Sequence, residues 1–428
     1  MGNSRVRRDV VWQQMLCAGL VVLLPLAAAA KPVRIFGGFE SRFTDNARKS
    51  AFEEESDLES EVSVGIQHTS DPGRCNSDLD ARIAYVYWLD DTFDPEPYGD
   101  MDFLGDCRIG RGLVWRAENY LREVVQDSRV SNNPDNRTSK NLFRTGPEWT
   151  VRLGSVDQVV FAAEYENTEY DEPEETDSER YIGTVSWNHF FDPSFTGGLS
   201  ATADQAELDT DEEIDRETLS ATFSKTWAAT SLAGAVGFSQ IETVSDSRTG
   251  ETDGFVGNIE LVRAINPTTE LTLEASRELT DVTSDFDIRF DEFVFNLEQT
   301  SAVEVSLARG ELLKTFSAGS TLALGAYASR SDYIDVGLEE DRAGFVADYR
   351  RPVTSQMTAT FLYAFDSLSY SDDDTRDSVI RLNAGIEYQL NRQLVFAGRI
   401  GHEQRQSEID AREFDENWVS FGLNYQFR

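Results

Sequence analysis

The sequence predicts an all-β chain: a transmembrane, antiparallel, up-and-down β-barrel of about 18 strands, in a range of roughly 16 to 20. Three observations predict it. First, Val419, Phe421, Leu423, Tyr425 and Phe427 are apolar at every second position, with Trp418, Ser420, Gly422, Asn424, Gln426 and Arg428 around them. A period of two is a strand with one apolar and one wet face. Second, from about Trp149 onward, alternating runs are separated by breakers that switch between short turns and long acidic stretches. Third, no segment after the first 30 residues approaches the roughly 18 consecutive apolar residues of a membrane helix, and mean hydropathy is −0.43. A barrel crosses a membrane without such a segment, because alternation conceals its lipid face.

Residues 1–30 read as an export leader. Arg5, Arg7 and Arg8 precede a short apolar run, Ala18–Leu26, and Ala27–Ala30 offers a small-residue cleavage site before Lys31. Leu16 precedes Cys17 where a lipoprotein signal needs a small residue. The expected organisation is therefore a leader, 1–30, and one barrel domain, 31–428. Cys75 and Cys107 come after the leader, and an exported pair permits a disulfide between them. Two thiols alone make no metal site, and the sequence calls for no cofactor.

The net charge of −38 excludes nucleic-acid binding, since no basic patch offsets it. Much of the acid is clustered at Asp171–Glu179, Asp209–Glu217 and Asp372–Asp377. These clusters read as solvated loops, or as cation-binding loops beside lipopolysaccharide phosphates.

Taken in chain order, strands are expected at 33–43, 58–68, 80–89 and 110–123. Residues 125–145 then read as a polar connector that should be a short turn, or that crosses or plugs the lumen, or that carries an irregular strand. Beyond it, Val159, Phe161, Ala163 and Tyr165 oppose Ala162, Glu164 and Glu166; Tyr181, Val185 and Trp187 oppose Thr184, Ser186 and Asn188. Short breakers fall at 154–158, 192–194, 227–231, 266–268, 351–355 and 391–393. Long acidic ones fall at 171–180, 207–217, 243–253, 279–287, 331–341, 371–377 and 404–414. Short turns at one end and long loops at the other are the hairpin asymmetry of outer-membrane barrels. Residues 288–316 hold two strand-like pieces, Phe290–Leu297 and Val303–Leu313, where up-and-down parity asks for an odd number. Near the end, Met357, Ala359, Phe361, Tyr363 and Phe365 alternate with Thr358, Thr360 and Asp366. Likewise Leu382, Ala384, Ile386 and Tyr388 alternate with Arg381, Asn383 and Glu387. Phe421, Leu423, Tyr425 and Phe427 form the strand expected to close the barrel against 33–43. Tyr170, Tyr181, Trp187, Tyr349, Tyr363, Tyr388, Trp418 and Tyr425 lie near strand ends, as interfacial girdles require.

The polar faces carry charges that a dry core would not accept without partners. The candidate lumen-facing residues are Arg152, Glu164, Glu166, Glu260, Asp348, Arg350, Arg381, Asn383, Glu387 and Arg399, with Tyr327 as a lone inward aromatic. Mixed charges of this kind neutralise one another across a wet interior, or build a field that selects solutes. Enzyme signatures are thin: the histidines are His68, His189 and His402, and no nucleophile-elbow, phosphate-loop, zinc-protease or calcium-loop pattern occurs. No catalytic residue is expected.

Gly38–Ser60, with the pair Asp45-Asn46 and then Asp57, and Arg144–Pro147 followed by Trp149–Leu153, resemble the β-barrel porin group associated with exopolysaccharide operons, including exosortase-type loci. The resemblance implies an outer-membrane channel linked to polysaccharide export. Its implied partners are outer-membrane lipid and lipopolysaccharide, the barrel-assembly machinery and export components. Two other functions compete: a non-conducting surface or adhesion barrel with a plugged interior, and an outer-membrane hydrolase.

Overall fold

The computed structural model describes residues 33–427 apart from 173–174, 246–247, 282, 284–287, 291–292, 296–301, 335–336 and 373. The leader read at 1–30 and Arg428 lie outside the described residues. The wall of the molecule is one antiparallel sheet of twenty strands. It begins with β1 (Arg34–Thr44), β2 (Asp57–Thr69), β3 (Cys75–Trp88), β4 (Glu96–Gly110) and β5 (Leu113–Val125). β6 (Arg137–Arg152), β7 (Asp157–Tyr170), β8 (Ser178–Asp192), β9 (Phe195–Leu208) and β10 (Glu213–Thr226) come next. β11 (Thr230–Ser245), β12 (Arg248–Asn266) and β13 (Thr269–Thr280) complete the first two thirds. A separate small hairpin, β14 (Ile288–Phe290) with β15 (Phe293–Phe295), stands between β13 and the rest of the wall. The wall resumes with β16 (Val303–Thr315), β17 (Thr321–Tyr333), β18 (Leu338–Pro352) and β19 (Met357–Tyr370). It ends with β20 (Thr375–Gln389), β21 (Leu394–Ser407) and β22 (Phe414–Gln426).

β22 returns to β1, with Leu423 opposite Phe39, Phe421 opposite Ser41 and Tyr425 opposite Gly37, so the sheet closes on itself. Closure satisfies the backbone groups that an open edge would leave bare in hydrocarbon. The expected closing strand thus closes the barrel, and Phe427 N donates to Ile35 O at 2.8 Å just beyond the last ladder pair.

Alternation sorts the side chains. Val64, Ile83, Val185, Leu219, Val236 and Ile400 are all more than two-fifths exposed and share the outer face. An apolar belt running right round a molecule is not stable in water; it fits a lipid-facing exterior. Arginines, acids and hydroxyls occupy the intervening, inward positions.

Four expectations are sharpened or corrected. The strand number is twenty, within the range but above the favoured 18. The strand without a signal in the sequence is β4: Pro97, Gly99 and Gly105, together with Asp100, Asp102 and Asp106, erase its alternation, and it is held by its ladders to β3 and β5. Including β4 reverses the parity of the next connection. Residues 126–136 therefore lie at the long-loop end rather than at the turn end, while 137–145 belong to the wall as part of β6, which is the strand alternative for this stretch. In 288–316, one wall strand (β16) and the small β14–β15 hairpin account for the two pieces, so the odd number is met.

Third, several stretches that read as acidic loops are strand. Of 207–217 only 209–212 is not strand, and 243–253 is largely the paired ends of β11 and β12, with Val244 opposite Thr249. β12 has 19 residues, at ~3.3 Å each a path of roughly 60 Å. An apolar band about 25 Å tall needs much less, even with tilt. Above that band water solvates the charges while the ladder bonds continue, so charge does not end a strand there.

Fourth, two aromatics expected in the girdle face inward. Tyr170 is buried with the Lys140 ammonium 5.6 Å from its ring centre. Trp418 lies opposite Thr44, with the Arg42 guanidinium 5.0 Å from its ring.

Candidate functional site

The interior is the site the fold constructs, and it has two unlike halves. At the end of the short turns the inward charges are open to water. Arg350 Nη2 donates to Glu387 Oε2 at 2.8 Å, with the arginine side chain 51% exposed. Arg399 stands 3.8 Å from Glu40, and Arg116 3.0 Å from Glu148. Arg152 and Glu260 are exposed on the same face. Ion pairs this open are worth little, since water competes for both partners.

At the loop end the inward charges are buried and latched. Arg180, at the loop end of β8, donates from Nη1 to Asp204 Oδ1 at 2.5 Å. Its Nη2 serves Asp281 Oδ1 and Oδ2 at 2.8 and 2.7 Å and Thr283 Oγ1 at 3.1 Å. Arg216 Nε donates to the other oxygen of Asp204 at 2.7 Å. Asp281 and Thr283 belong to the connection after β13, so this cluster ties that connection across to β8. Thr168 Oγ1 adds a bond to Thr283 O at 3.1 Å. Burial alone would push the Asp281 carboxyl up, but the Arg180 and Arg216 guanidiniums and the Thr283 hydroxyl hold it below the ordinary carboxylate range. Farther along the same connection, β15 comes within 8 Å of β5, Cα to Cα, on the far wall.

A second cluster lies on β1, β20, β21, β22 and the 45–56 loop. Glu416, almost fully buried, accepts from Arg42 Nη2 at 2.6 Å and Thr44 Oγ1 at 2.7 Å. Lys49 Nζ bonds Glu403 at 2.8 Å, and Arg381 Nε reaches the other Glu403 oxygen at 3.3 Å. Arg405 pairs with Asp377. Between the two clusters, Tyr327 donates to Asp366 over an apolar inward patch of Val303, Val305, Leu307, Val346, Leu362 and Ala364. A water-filled lumen does not leave Arg180, Asp204, Asp281, Asp366, Asp377 and Glu416 below a tenth exposed. The loop-end half is filled.

Arg152, Glu164, Glu166, Glu260, Asp348, Arg350, Arg381, Asn383, Glu387 and Arg399 all take the inward face by register. They are not equivalent. Glu166 is buried, paired with Arg144 and 3.5 Å from Arg180 Nε, and so belongs to the latched half. Arg381, through Glu403, joins it there. Among the groups that sequence reasoning missed, Arg180, Asp377 and Arg405 sit at strand ends whose acidic neighbours read as loop. Extending the parity of Thr184, Ser186 and Asn188 by two steps would have placed Arg180 inward.

Cys75 and Cys107 are directly opposite on β3 and β4 and are disulfide-bonded. His189 Nδ1 meets Asp157 Oδ1 at 2.9 Å on the outer face, with its ring beside Phe191 and Trp187. His402 Nδ1 meets Asn417 Oδ1 at 3.0 Å. His189 lies near the turn end of β8 and His402 mid-strand on β21, opposite Leu382; both point to the lipid side, away from the interior clusters.

An apolar exterior, a closed antiparallel wall and a polar interior narrowed at one end define a membrane β-barrel. Residues 315–427, from the end of β16 to the end of β22, match the family described as Putative beta-barrel porin 2. A comparison with curated proteins finds no match. Among solved structures, the chain is similar to the siderophore receptor PirA from Pseudomonas aeruginosa, at 8% identity over 93% of this chain and 81% of that one, with a TM-score of 0.45. The FrpB iron transporter from Neisseria meningitidis gives 8% identity over 92% and 82%, at 0.48. Pseudomonas aeruginosa OccK3 (OpdO) gives 11% over 92% and 96%, at 0.40. At such scores these likenesses say nothing about what the barrel conducts.

Proposed function

We propose that this chain is an outer-membrane channel of porin type that assists export of an extracellular polysaccharide. The observation that carries the channel reading is the turn-end half of the interior, where Arg350, Glu387, Arg399, Glu40, Arg116 and Glu148 are paired yet hydrated. A barrel that served only as a surface scaffold has no need of a wet charged basin. The porin family match over the last quarter of the chain supports the same reading. The polysaccharide rests on the resemblance of Gly38–Ser60 and Arg144–Leu153 to porins of exopolysaccharide operons. In this reading the long loops face outward, 1–30 is a cleaved leader, the assembly machinery inserts the barrel, and lipopolysaccharide surrounds its upper rim.

The filled loop-end half favours a second reading, a non-conducting structural barrel. Conductance of the purified protein in planar bilayers separates the two. A deletion strain then tests the solute: exported polymer should fall while sugar-nucleotide pools stay unchanged. Unchanged polymer would remove the export role and leave a general channel.

A further inference from the structure

The connector 126–136 leaves the wall at the Val125–Arg137 pair, where β5 ends and β6 begins. It keeps its own shape. Gln126 N donates to Asn136 O at 3.1 Å, and the buried Asn136 side chain accepts from Asp127 N at 3.0 Å while donating to Asp127 O at 2.8 Å. Arg137 Nε bonds Asn132 Oδ1 at 2.7 Å. A loop braced from within moves as one piece.

Its far side rests on strands that are not its neighbours. Arg405 of β21 donates to Ser128 O at 3.1 Å and to Val130 O at 3.3 Å. Ser128 Oγ meets Tyr370 Oη of β19 at 3.1 Å. Arg129 pairs with Asp372 at 3.2 Å, its guanidinium 5.2 Å from the centre of the Tyr370 ring. Ser131 Oγ donates to Lys49 O at 2.7 Å. Counting round the closed ring through β1 and β22, β21 is six strands from β5 and β19 is eight. In a ring of twenty, a segment joining strands so far apart is a chord, and a chord lies over the lumen. The two ends of the chord are held differently. At β5–β6 it continues the backbone ladder; at β19–β21 every one of these bonds uses a side chain of the strap or of the wall.

We infer that 126–136 is a closing bar, hinged at β5–β6 and caught at β19–β21, and that its release opens the mouth of the barrel. The inference rests on the channel reading and adds a moving part to it. Arg405 is the catch: one guanidinium holds two strap carbonyls while Asp377 fixes its position. Release leaves the wall intact, because no ladder bond of β19, β20 or β21 involves the strap.

Single-channel recording in planar bilayers tests this with three variants of the full mature protein. The first replaces Ser128–Pro134 by two glycines, keeping the hinge and shortening the bar. The second is Arg405→Lys, which keeps a cation for Asp377 but loses the fork that serves two carbonyls. The third is Arg129→Ala, at a catch about a quarter exposed. Wild-type protein should open rarely. The shortened bar should raise the mean current at least tenfold, with Arg405→Lys and Arg129→Ala in between. Heat-modifiable gel migration reports that each variant is a folded barrel. Equal, steady currents in wild type and all variants would overturn the closing bar and leave the channel reading standing. Folded barrels that never conduct, with or without the bar, would overturn both.

Discussion

The two halves of the interior use the same residue types to opposite ends. At the turn end, Arg350 and Glu387 are paired but wet; at the loop end, Arg180 has four polar partners and is 1% exposed. The difference is desolvation. A hydrated pair can be broken cheaply, since water replaces either partner. A buried cluster cannot, because removing one member strands the others without water. The first arrangement suits a surface past which solutes move. The second suits a structure that narrows the passage.

The largest expected effect comes from that contrast. Arg180→Met leaves Asp204 and Asp281 buried without their main cation and should destabilise the barrel by about 3–5 kcal/mol. Arg350→Met, at the turn end, should cost under about 1 kcal/mol. Denaturant unfolding in detergent, monitored by gel migration and tryptophan emission, reads both. Similar losses would erase the distinction between the halves.

The outer face provides an internal standard of known scale. Leu382 points to lipid mid-strand on β20, beside inward Arg381 and Asn383. Leu382→Arg should cost about 2–4 kcal/mol if it lies near the membrane midplane, and less than Arg180→Met. Asn383→Leu, inward at the same height, should be nearly neutral. Comparable costs for the two β20 substitutions, measured in lipid vesicles, would reverse the assigned faces.

Acid should loosen the Asp281 cluster only well below neutral pH. The folded-state pKa of Asp281 is depressed, so its contribution is fully present above the ordinary carboxylate range and is lost as pH falls through its lower, folded value. Hydrogen exchange at Ser178–Ile182 should therefore be unchanged from pH 7 to pH 5 after correction for intrinsic rates, and should rise only in stronger acid. Loosening already between pH 6 and pH 5 would mean that Asp281 is not held by Arg180.

The smallest structural effect is expected to show in ion selectivity rather than in stability. Arg350→Gln with Arg399→Gln should leave stability within about 1 kcal/mol. The remaining carboxylates would then dominate the basin, and selectivity should shift towards cations. Reversal potentials under a salt gradient measure the shift; an unchanged potential would mean that the basin does not lie on the ion path.

The wall was largely legible because a barrel strand repeats one simple rule. Lipid demands an apolar side chain at every second position, and β19, β20 and β22 obey it with little interruption. β4 was not legible: its glycines, proline and acids carry no stripe, and only β3 and β5, each already committed to a register, make a strand of it. The buried clusters were hidden for a related reason. Above the apolar belt both faces of a strand accept charge, so Arg180, Asp377 and Arg405 look like loop residues in a one-dimensional text.

By itself, then, the sequence determined the class of fold and proposed the inward set from Arg152 to Arg399, since each depends on a period of two and on nothing distant. Tertiary structure alone decided which of those charges stay wet. Glu166 and Arg350 read alike along the chain, yet one is enclosed by Arg144 and Arg180 and the other faces water. Burial depends on what crosses the barrel from the far wall, and the crossings, from 126–136 to β21 and from Asp281 to β8, join residues more than a hundred positions apart. No local pattern encodes such a meeting; closure of the ring brings it about.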